Sequence, residues 1–188
     1  MEIVELLMRS SDNMRAAHAT YTTFLDCRIE IVKKLYKAIN EKLHQDEGEK
    51  TFERLVDKKW DWEYSKALDK FDHPSISYIV RSDDEGYVVL SIEIGGDGEL
   101  FVGIGFAGLN KERINKKGSP LFTTLERRHV PADSQQSGKW YSCWANLEIN
   151  FALYDCNYFK LFDNEYFIKE VDRIVECIIG MKESLLAK

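Results

Sequence analysis

The six-residue stretch GIGFAG, from Gly103 to Gly108, fits the pattern G-x-G-x-x-G. Glycines at this spacing form the phosphate-binding turn of dinucleotide-binding folds, where the turn ends a parallel strand and opens a helix. Here GGDG joins the stretch to the preceding strand, and such a hairpin signal makes the two strands antiparallel. The polar segment that follows would also make a poor crossover helix. The sequence therefore does not support a dinucleotide site, and we expect no cofactor.

Three acidic side chains are the candidates for metal-assisted cleavage of a phosphodiester: Asp83, Asp84 and Glu93. The two aspartates belong to SDDEG, where the chemistry of a hairpin turn already explains Asp and Gly. Glu93 falls within a predicted strand, on the face that we expect to carry Leu100 and Val102. It is interpreted either as a buried functional carboxylate or as a structural residue at a sheet edge or beside a lysine.

Other motifs of catalytic and metal sites do not occur in the sequence. We find neither the nucleophile elbow G-x-S-x-G, nor the phosphate loop, nor H-E-x-x-H, and the four histidines share no ligand-like spacing. The cysteines are widely separated and are interpreted as reduced, mostly buried thiols. They are Cys27, Cys143, Cys156 and Cys177. No metal site is predicted.

Hydrophobic spacing places a long helix at the N-terminus. Apolar residues recur every three or four positions from residue 2 to about 46, with a break near Ser10 to Asn13. After a polar turn, Thr51 is positioned to cap a short second helix that carries Phe52 and Leu55. The long helix has more apolar surface than this short helix covers, which predicts a homodimer or a helix-docked partner.

The chain then changes to an alternating, strand-like pattern. SISYIVRS, YVVLSIEI and ELFVGIGFAG follow one another through tight turns, which predicts an antiparallel meander. A later segment from Tyr141 to Leu153 also alternates, and Trp140 and Trp144 fall on the face opposite its apolar series. Asp163 is positioned to cap a final helix. Its apolar stripe consists of Phe167, Val171, Ile174, Val175, Ile178 and Leu185.

The glycines of the third strand need a structural explanation. If GGDG closes its hairpin symmetrically, Leu90 faces Gly103 and Val88 faces Gly105. Glycine within a strand often marks the close approach of another element. We expect the N-terminal or the C-terminal helix to lie over Gly103 and Gly105, and a ligand groove is the alternative.

These elements predict an α+β fold with a long N-terminal helix, an antiparallel β-meander and a C-terminal amphipathic helix packed on the sheet. Residues 1–72 form a helical N-terminal segment and residues 73–188 form the sheet with the final helix, in one compact domain. No basic region precedes the first apolar residues, and no apolar run approaches the length of a membrane span. A cytoplasmic protein is expected.

The charge is distributed unevenly along the chain. The net charge is −6, yet residues 111–139 contain seven basic and three acidic residues. Basic groups attract phosphate and an exposed indole offers a stacking surface, while the same groups suit an acidic protein. The predicted binding residues are Arg113, Lys116, Lys117, Arg127, Arg128, His129, Trp140 and Trp144.

Three stretches give the chain a resemblance to a known family: VVLSIEIGGDGELFVGIGF, KWYSCWANLEINF and LFDNEYFIKEVDRIVECI. Their order resembles the C-terminal region of bacterial PD-(D/E)XK nuclease-family proteins. The nuclease signature ends a strand with Asp or Glu, one residue and Lys, whereas Glu93 is followed by Ile94 and Gly95. The resemblance therefore implies the non-catalytic region, with a role in recognition or regulation in bacterial defence or phage conflict.

The sequence as a whole favours a non-catalytic binding or regulatory module that acts on a macromolecular partner. A protein partner is expected, with nucleic acid as a further possibility through the basic connection at 111–139. Two alternatives stay open at this point. One is a divergent metal-dependent nuclease or phosphodiesterase that uses Asp83, Asp84 or Glu93, and the other is a small-ligand sensor with a pocket over Gly103 and Gly105.

Overall fold

The computed structural model describes residues 3–47, 52–56, 61–63, 73–84, 86–109, 135–136, 141–152 and 157–186. Within these ranges the chain is α+β, as the sequence predicts, with a long N-terminal helix, an antiparallel sheet and a C-terminal helix. The elements in chain order are α1 (Ile3–Leu7), α2 (Ser11–Glu47), β1 (Glu53–Arg54), β2 (Ser75–Asp83), β3 (Gly86–Ile94), β4 (Glu99–Gly108), β5 (Gln135–Gln136), β6 (Tyr141–Asn150), a 3-10 helix (Asn157–Phe162) and α3 (Asn164–Leu186).

The break predicted near Ser10 separates α1 from α2. Ser10 caps α2, because its Oγ accepts a hydrogen bond from the backbone N–H of Asn13 over 3.1 Å. From this cap α2 runs for 37 residues, or about 55 Å at 1.5 Å per residue. The predicted long helix is confirmed, and its start is set by a side-chain cap.

A strand replaces the predicted short second helix. Glu53 and Arg54 pair with Ile79 and Tyr78 of β2, so this segment is β1 at one end of the sheet. Phe52 packs into the main core and Leu55 packs with Val89 and Ala107 in a separate cluster. Apolar residues three positions apart lie on one face of a helix or on opposite faces of a strand, so the spacing is compatible with both. Pairing with β2 makes the segment a strand. The predicted cap residue, Thr51, lies outside the described residues.

The described strands form one sheet in the order β1-β2-β3-β4-β6-β5, and every neighbouring pair is antiparallel. The predicted meander is confirmed, but its predicted register is wrong by one residue. Leu90 pairs with Ile104, and Gly103 pairs with Ser91. Gly98 has φ of +88°, and a glycine in this left-handed region adds a residue to one side of a hairpin turn. The turn is therefore centred on Asp97, and not, as predicted, between Gly96 and Asp97.

One face of the sheet, called the core face here, is covered by α2 and α3. Val88, Leu90 and Ile92 of β3 are buried there, with Ile104 opposite Leu90. From α2 the core receives Ile31, Val32, Leu35, Tyr36, Ile39 and Leu43. From α3 it receives the predicted stripe, Phe167, Val171, Ile174, Val175, Ile178 and Leu185, each of which is buried. The shared core joins both helices and the sheet.

The start of α3 confirms the cap predicted at Asp163. Asp163 precedes the helix, and its Oδ1 accepts a hydrogen bond from the backbone N–H of Tyr166 over 2.8 Å. Glu165 lies in the first turn, where a negative charge complements the helix dipole. These two residues fix the point at which α3 leaves the 3-10 helix.

Replacement of Gly98 by alanine should destabilise the protein. A Cβ there would lie 2.4 Å from the backbone N of Ala152, and the φ of +88° is unfavourable for a side chain. We expect Gly98→Ala to lower the free energy of unfolding by roughly 2 kcal/mol or more, measured by urea denaturation. Gly180→Ala in α3 is the control, because a Cβ there meets no atom within 4 Å. It should raise stability by about 0.5–1 kcal/mol. Equal stability of the Gly98 variant and the wild type would contradict this account.

Stability should fall at alkaline pH because of Tyr78. Burial raises the pKa of Tyr78 above its ordinary value, and its hydroxyl donates to Oδ1 of Asn40 over 3.1 Å. The unfolded state therefore loses this proton first, so the stabilisation is complete below about pH 10 and is lost as pH rises above it. Tyr78→Phe should cost about 1 kcal/mol at pH 8 and flatten the loss between pH 8 and 11.

Candidate functional site

Most of the predicted binding residues lie outside the described residues, namely Arg113, Lys116, Lys117, Arg127, Arg128, His129 and Trp140. Trp144 is described, and it lies in β6 opposite Gly103 of β4 and Gln135 of β5. Its half-buried ring meets Phe101 edge-on, with ring centroids 5.8 Å apart. Ala145 and Leu147 point to the core face, so Trp144 lies on the opposite face, as predicted.

The second face of the sheet, called the glycine face here, contains Gly103 and Gly105. Alternation along β4 puts both glycines on the side away from Val102 and Ile104, which pack against α2 and α3. The prediction that one of the two long helices lies over the glycines is therefore wrong, and the one-residue error in register is the reason. Their neighbours across the pairing are Ser91 and Val89, which are also buried.

Two serines form a buried hydroxyl pair on the glycine face. Ser77 of β2 lies opposite Ser91 of β3, and their Oγ atoms are 2.6 Å apart. Ser91 is fully buried and Ser77 nearly so. Each hydroxyl therefore supplies the hydrogen bond that burial demands of the other. The row Ser77, Ser91, Gly103 and Trp144 crosses four strands.

Glu93 belongs to the glycine face and not, as predicted, to the face of Leu100 and Val102. It pairs with Phe101 of β4, and its side chain is 5% exposed. Its Oε1 lies 2.9 Å from Nδ1 of His73, whose side chain is 42% exposed. Glu93 is therefore buried within the sheet and not at its edge, because β3 lies between β2 and β4.

His73 was missed by sequence reasoning. It lies 20 residues before Glu93 and adopts φ of +54°, an unfavourable conformation that no local pattern signals. A carboxylate beside Nδ1 orients the imidazole, as it does in general-base and metal-binding histidines. Nε2 faces Gly96, where an added Cβ would lie 3.6 Å away. Among the described residues no cluster of three or more His, Cys, Asp or Glu side chains is arranged to hold a metal ion.

The acidic candidates do not lie together. Asp83 and Asp84 stand at the turn between β2 and β3, where Asp83 pairs with Gly86, and Asp84 is exposed. Glu93 lies seven residues along β3 from Gly86, which corresponds to about 23 Å. A single metal ion cannot be shared over that distance.

A buried ion pair fixes the segment that follows β1. Arg54 Nη2 lies 2.6 Å from Oδ2 of Asp61, and Arg54 Nη1 lies 3.0 Å from Oε2 of Glu63. Burial raises the pKa of Asp61 above its ordinary value, although the guanidinium acts in the opposite direction. The backbone N–H of Trp62 donates to the carbonyl of Ser75 over 3.0 Å. These contacts attach residues 61–63 to the sheet, which is a structural role.

The N-terminal half of α2 offers a different kind of surface. From Ser11 to Cys27 no side chain is buried, and this part is about 25 Å long. Residues 16–25, AAHATYTTFL, contain no Lys, Arg, Asp or Glu, although 31% of the chain is charged. We call residues 16–25 the uncharged segment. Solvated helices normally carry charged residues on their exposed face, so this stretch differs from an ordinary exposed helix.

The threonines of the uncharged segment hydrogen-bond to their own helix. The hydroxyls of Thr20 and Thr23 donate to the carbonyls of Ala16 and Ala19, each over 2.9 Å. Thr22 donates to Ala19 O over 2.9 Å, and its oxygen also lies 3.1 Å from His18 O. Because these hydroxyl protons already have partners, the surface loses little hydrogen bonding when water leaves it.

An apolar groove lies beside this segment. Phe24 of α2 meets Phe159 of the 3-10 helix edge-on, with ring centroids 5.4 Å apart. Phe159 and Phe162 are 41% and 51% exposed, whereas Tyr158 and Leu161 anchor the 3-10 helix in the core. The groove has a volume of about 630 Å³. It is lined by Ala19, Thr20, Thr23, Phe24, Cys27, Phe159 and Phe162, and we call it the aromatic groove.

The apolar surface continues around α2 to Met14 and Tyr21, on the side of the helix that faces away from the nearest charged residues. Met14 and Tyr21 are 51% and 52% exposed. Asp12, Arg15 and Asp26 are displaced from both by about 100° or more around the helix, at 3.6 residues per turn. Sequence reasoning identified this apolar stripe but missed the groove. The absence of charge over ten residues was the available signal.

Comparison with protein-family models, with curated proteins and with solved structures finds no match. Of the helices that the structure describes, none has the length and apolar character to cross a bilayer.

The buried serine pair gives a test of the glycine face. Removal of one hydroxyl leaves the other buried without this partner, so Ser77→Ala and Ser91→Ala should each cost about 1–3 kcal/mol in urea denaturation. The double variant should cost less than the sum of the two, because no buried hydroxyl is left behind. Additive losses would show that the two hydroxyls do not depend on each other.

Proposed function

We propose that this chain is a non-catalytic binding module that acts on a protein partner through the uncharged segment and the aromatic groove. One observation carries the proposal: ten consecutive residues of an exposed helix lack charge and adjoin a groove with two exposed phenylalanines. A helical surface of this kind suits an apolar helix of a partner, since such helices bind in grooves through residues spaced three and four apart.

The energetics of this surface favour association. Phe24, Phe159 and Phe162 offer aromatic area, and apolar area removed from water contributes about 25 cal/mol per Å². Ala16, Ala19 and the threonines are small, so a partner backbone is able to come close. The hydroxyls bond within α2 and need no partner from outside.

The resemblance to the non-catalytic region of PD-(D/E)XK nuclease-family proteins agrees with this proposal, and on that resemblance we propose a role in bacterial defence or phage conflict. Contact with nucleic acid through residues 111–139 stays a separate prediction, because Trp144 supplies its only described aromatic group. The nuclease alternative is weakened by the distance between Glu93 and the Asp83–Asp84 turn.

Alkylation of Cys27 in intact cells tests the proposal. Cys27 is exposed and lines the groove, and trypsin releases it in the peptide of residues 16–28 as the single cysteine. We expect N-ethylmaleimide to modify Cys27 at least several-fold more slowly in cells than in dilute purified protein, because a bound helix excludes the reagent. Mass spectrometry of the peptide measures the rate.

Two internal controls accompany this measurement. Cys177 is half-buried in α3, away from the groove-lining residues, and its relative rates should not follow those of Cys27. Thr20→Lys puts a charge into the groove and should abolish the protection, whereas Thr22→Lys, on the charged side of the same turn, should preserve it. Equal rates of Cys27 modification in cells and in dilute solution would refute the proposed function.

A further inference from the structure

This inference rests on the proposed function and names the partner. We infer that the protein bound at the uncharged segment is a second copy of this chain, related to the first by a twofold axis that passes close to Thr20 and Tyr21. In such a dimer α2 of one copy lies along α2 of the other, and each aromatic groove receives side chains of the partner copy.

The charge pattern favours a second copy over an unrelated protein. A twofold axis brings each residue near it opposite the same residue of the other copy, so any charge there faces its own sign. The chain has a net charge of −6, so two copies repel each other as a whole. Residues 16–25 form a stretch where this repulsion is absent, and Asp12, Arg15 and Asp26 lie away from Tyr21.

The shape of the surface is self-complementary. Along the helix two small side chains, Ala17 and Thr20, are followed by two large ones, Tyr21 and Phe24. Two antiparallel copies are thus able to place the large groups of one over the small groups of the other. An isologous interface requires this property, because both partners present the same patch.

The position of the segment leaves room for the second copy. Phe24 is the first residue of α2 that packs against the core, and the buried apolar contacts follow from Ile31 to Leu43. Residues 11–23, about 20 Å of helix, therefore lie ahead of the core contacts. The exposed Val4 of α1 and Met8, directly after it, add apolar area next to the start of α2.

Sedimentation equilibrium of the full chain tests the inference. At pH 8, where an ordinary histidine is neutral, we expect the mass to rise from 21.9 kDa to twice that value between about 1 and 100 µM. Thr20→Lys brings two charges together near the axis and should raise the Kd at least about tenfold. Thr22→Lys adds the same charge on the other side of the helix and should leave the Kd within about twofold.

Cys27 alkylation separates this inference from the proposed function. In purified protein, the rate at Cys27 should fall as the dimer forms, and Thr20→Lys should restore the dilute rate at every concentration. A wild-type protein that stays monomeric at 100 µM overturns the second copy, and protection of Cys27 in cells would then support a different protein partner. A dimer that both lysine variants leave unchanged also overturns the inference, because its interface lies elsewhere. Circular dichroism melts of each variant verify that the fold is retained.

Discussion

The packing of α2 and α3 against one face of the sheet is the interaction on which the remaining structure depends. It buries a continuous apolar core, and within that core two tyrosines still find partners: Tyr36 donates to the carbonyl of Pro74 over 2.8 Å, and Tyr78 donates to Asn40. The first bond joins α2 to the residue before β2, and the second joins α2 to β2 itself. Lys42 of α2 also reaches Asp172 of α3 over 3.2 Å, although an exposed pair of this kind contributes little. The apolar contact sets the positions, and the polar contacts select one alignment of helix and sheet.

The same helix has two environments along its length. Its C-terminal half packs against the sheet. Its N-terminal half continues the helical stripe, and apart from the contact of Phe24 with the 3-10 helix no side chain from Ser11 to Cys27 is buried by the described chain. Helix propensity does not explain this extension, since Thr20, Thr22 and Thr23 are weaker helix formers than alanine. Side-chain hydroxyls that bond to the helix backbone also mark a surface prepared to lose water. An extension with these properties is consistent with selection for contact and not for solubility.

Local patterns predicted the elements well and their alignment less well. The helix break near Ser10 and the cap at Asp163 lie where they were expected, and the predicted stripe of α3 from Phe167 to Leu185 is buried. The errors arose where non-local contacts decide. Glu53–Arg54 form a strand because they pair with β2. The turn at Gly98, which has positive φ, shifts the register by one residue, so Gly103 lies on the face opposite to the predicted one. The contact of His73 with Glu93 spans 20 residues, and the aromatic groove brings together residues 24 and 159. The spacing of apolar residues along the chain predicts neither contact.

The unbroken run of α2 from Ser11 to Glu47 has a mechanical consequence. A helix held along its second half by a close-packed core behaves as a stiff lever, because rotation of its free end must disturb the side chains packed at the other. A partner bound near Tyr21, as proposed above, would therefore be oriented with respect to the strands as well as held. The angle between the bound molecule and the sheet is transmitted through a single element, without a hinge in between. A proline substituted between the two halves would kink α2, so that the bound molecule would no longer be oriented with respect to the sheet although each contact surface stays intact.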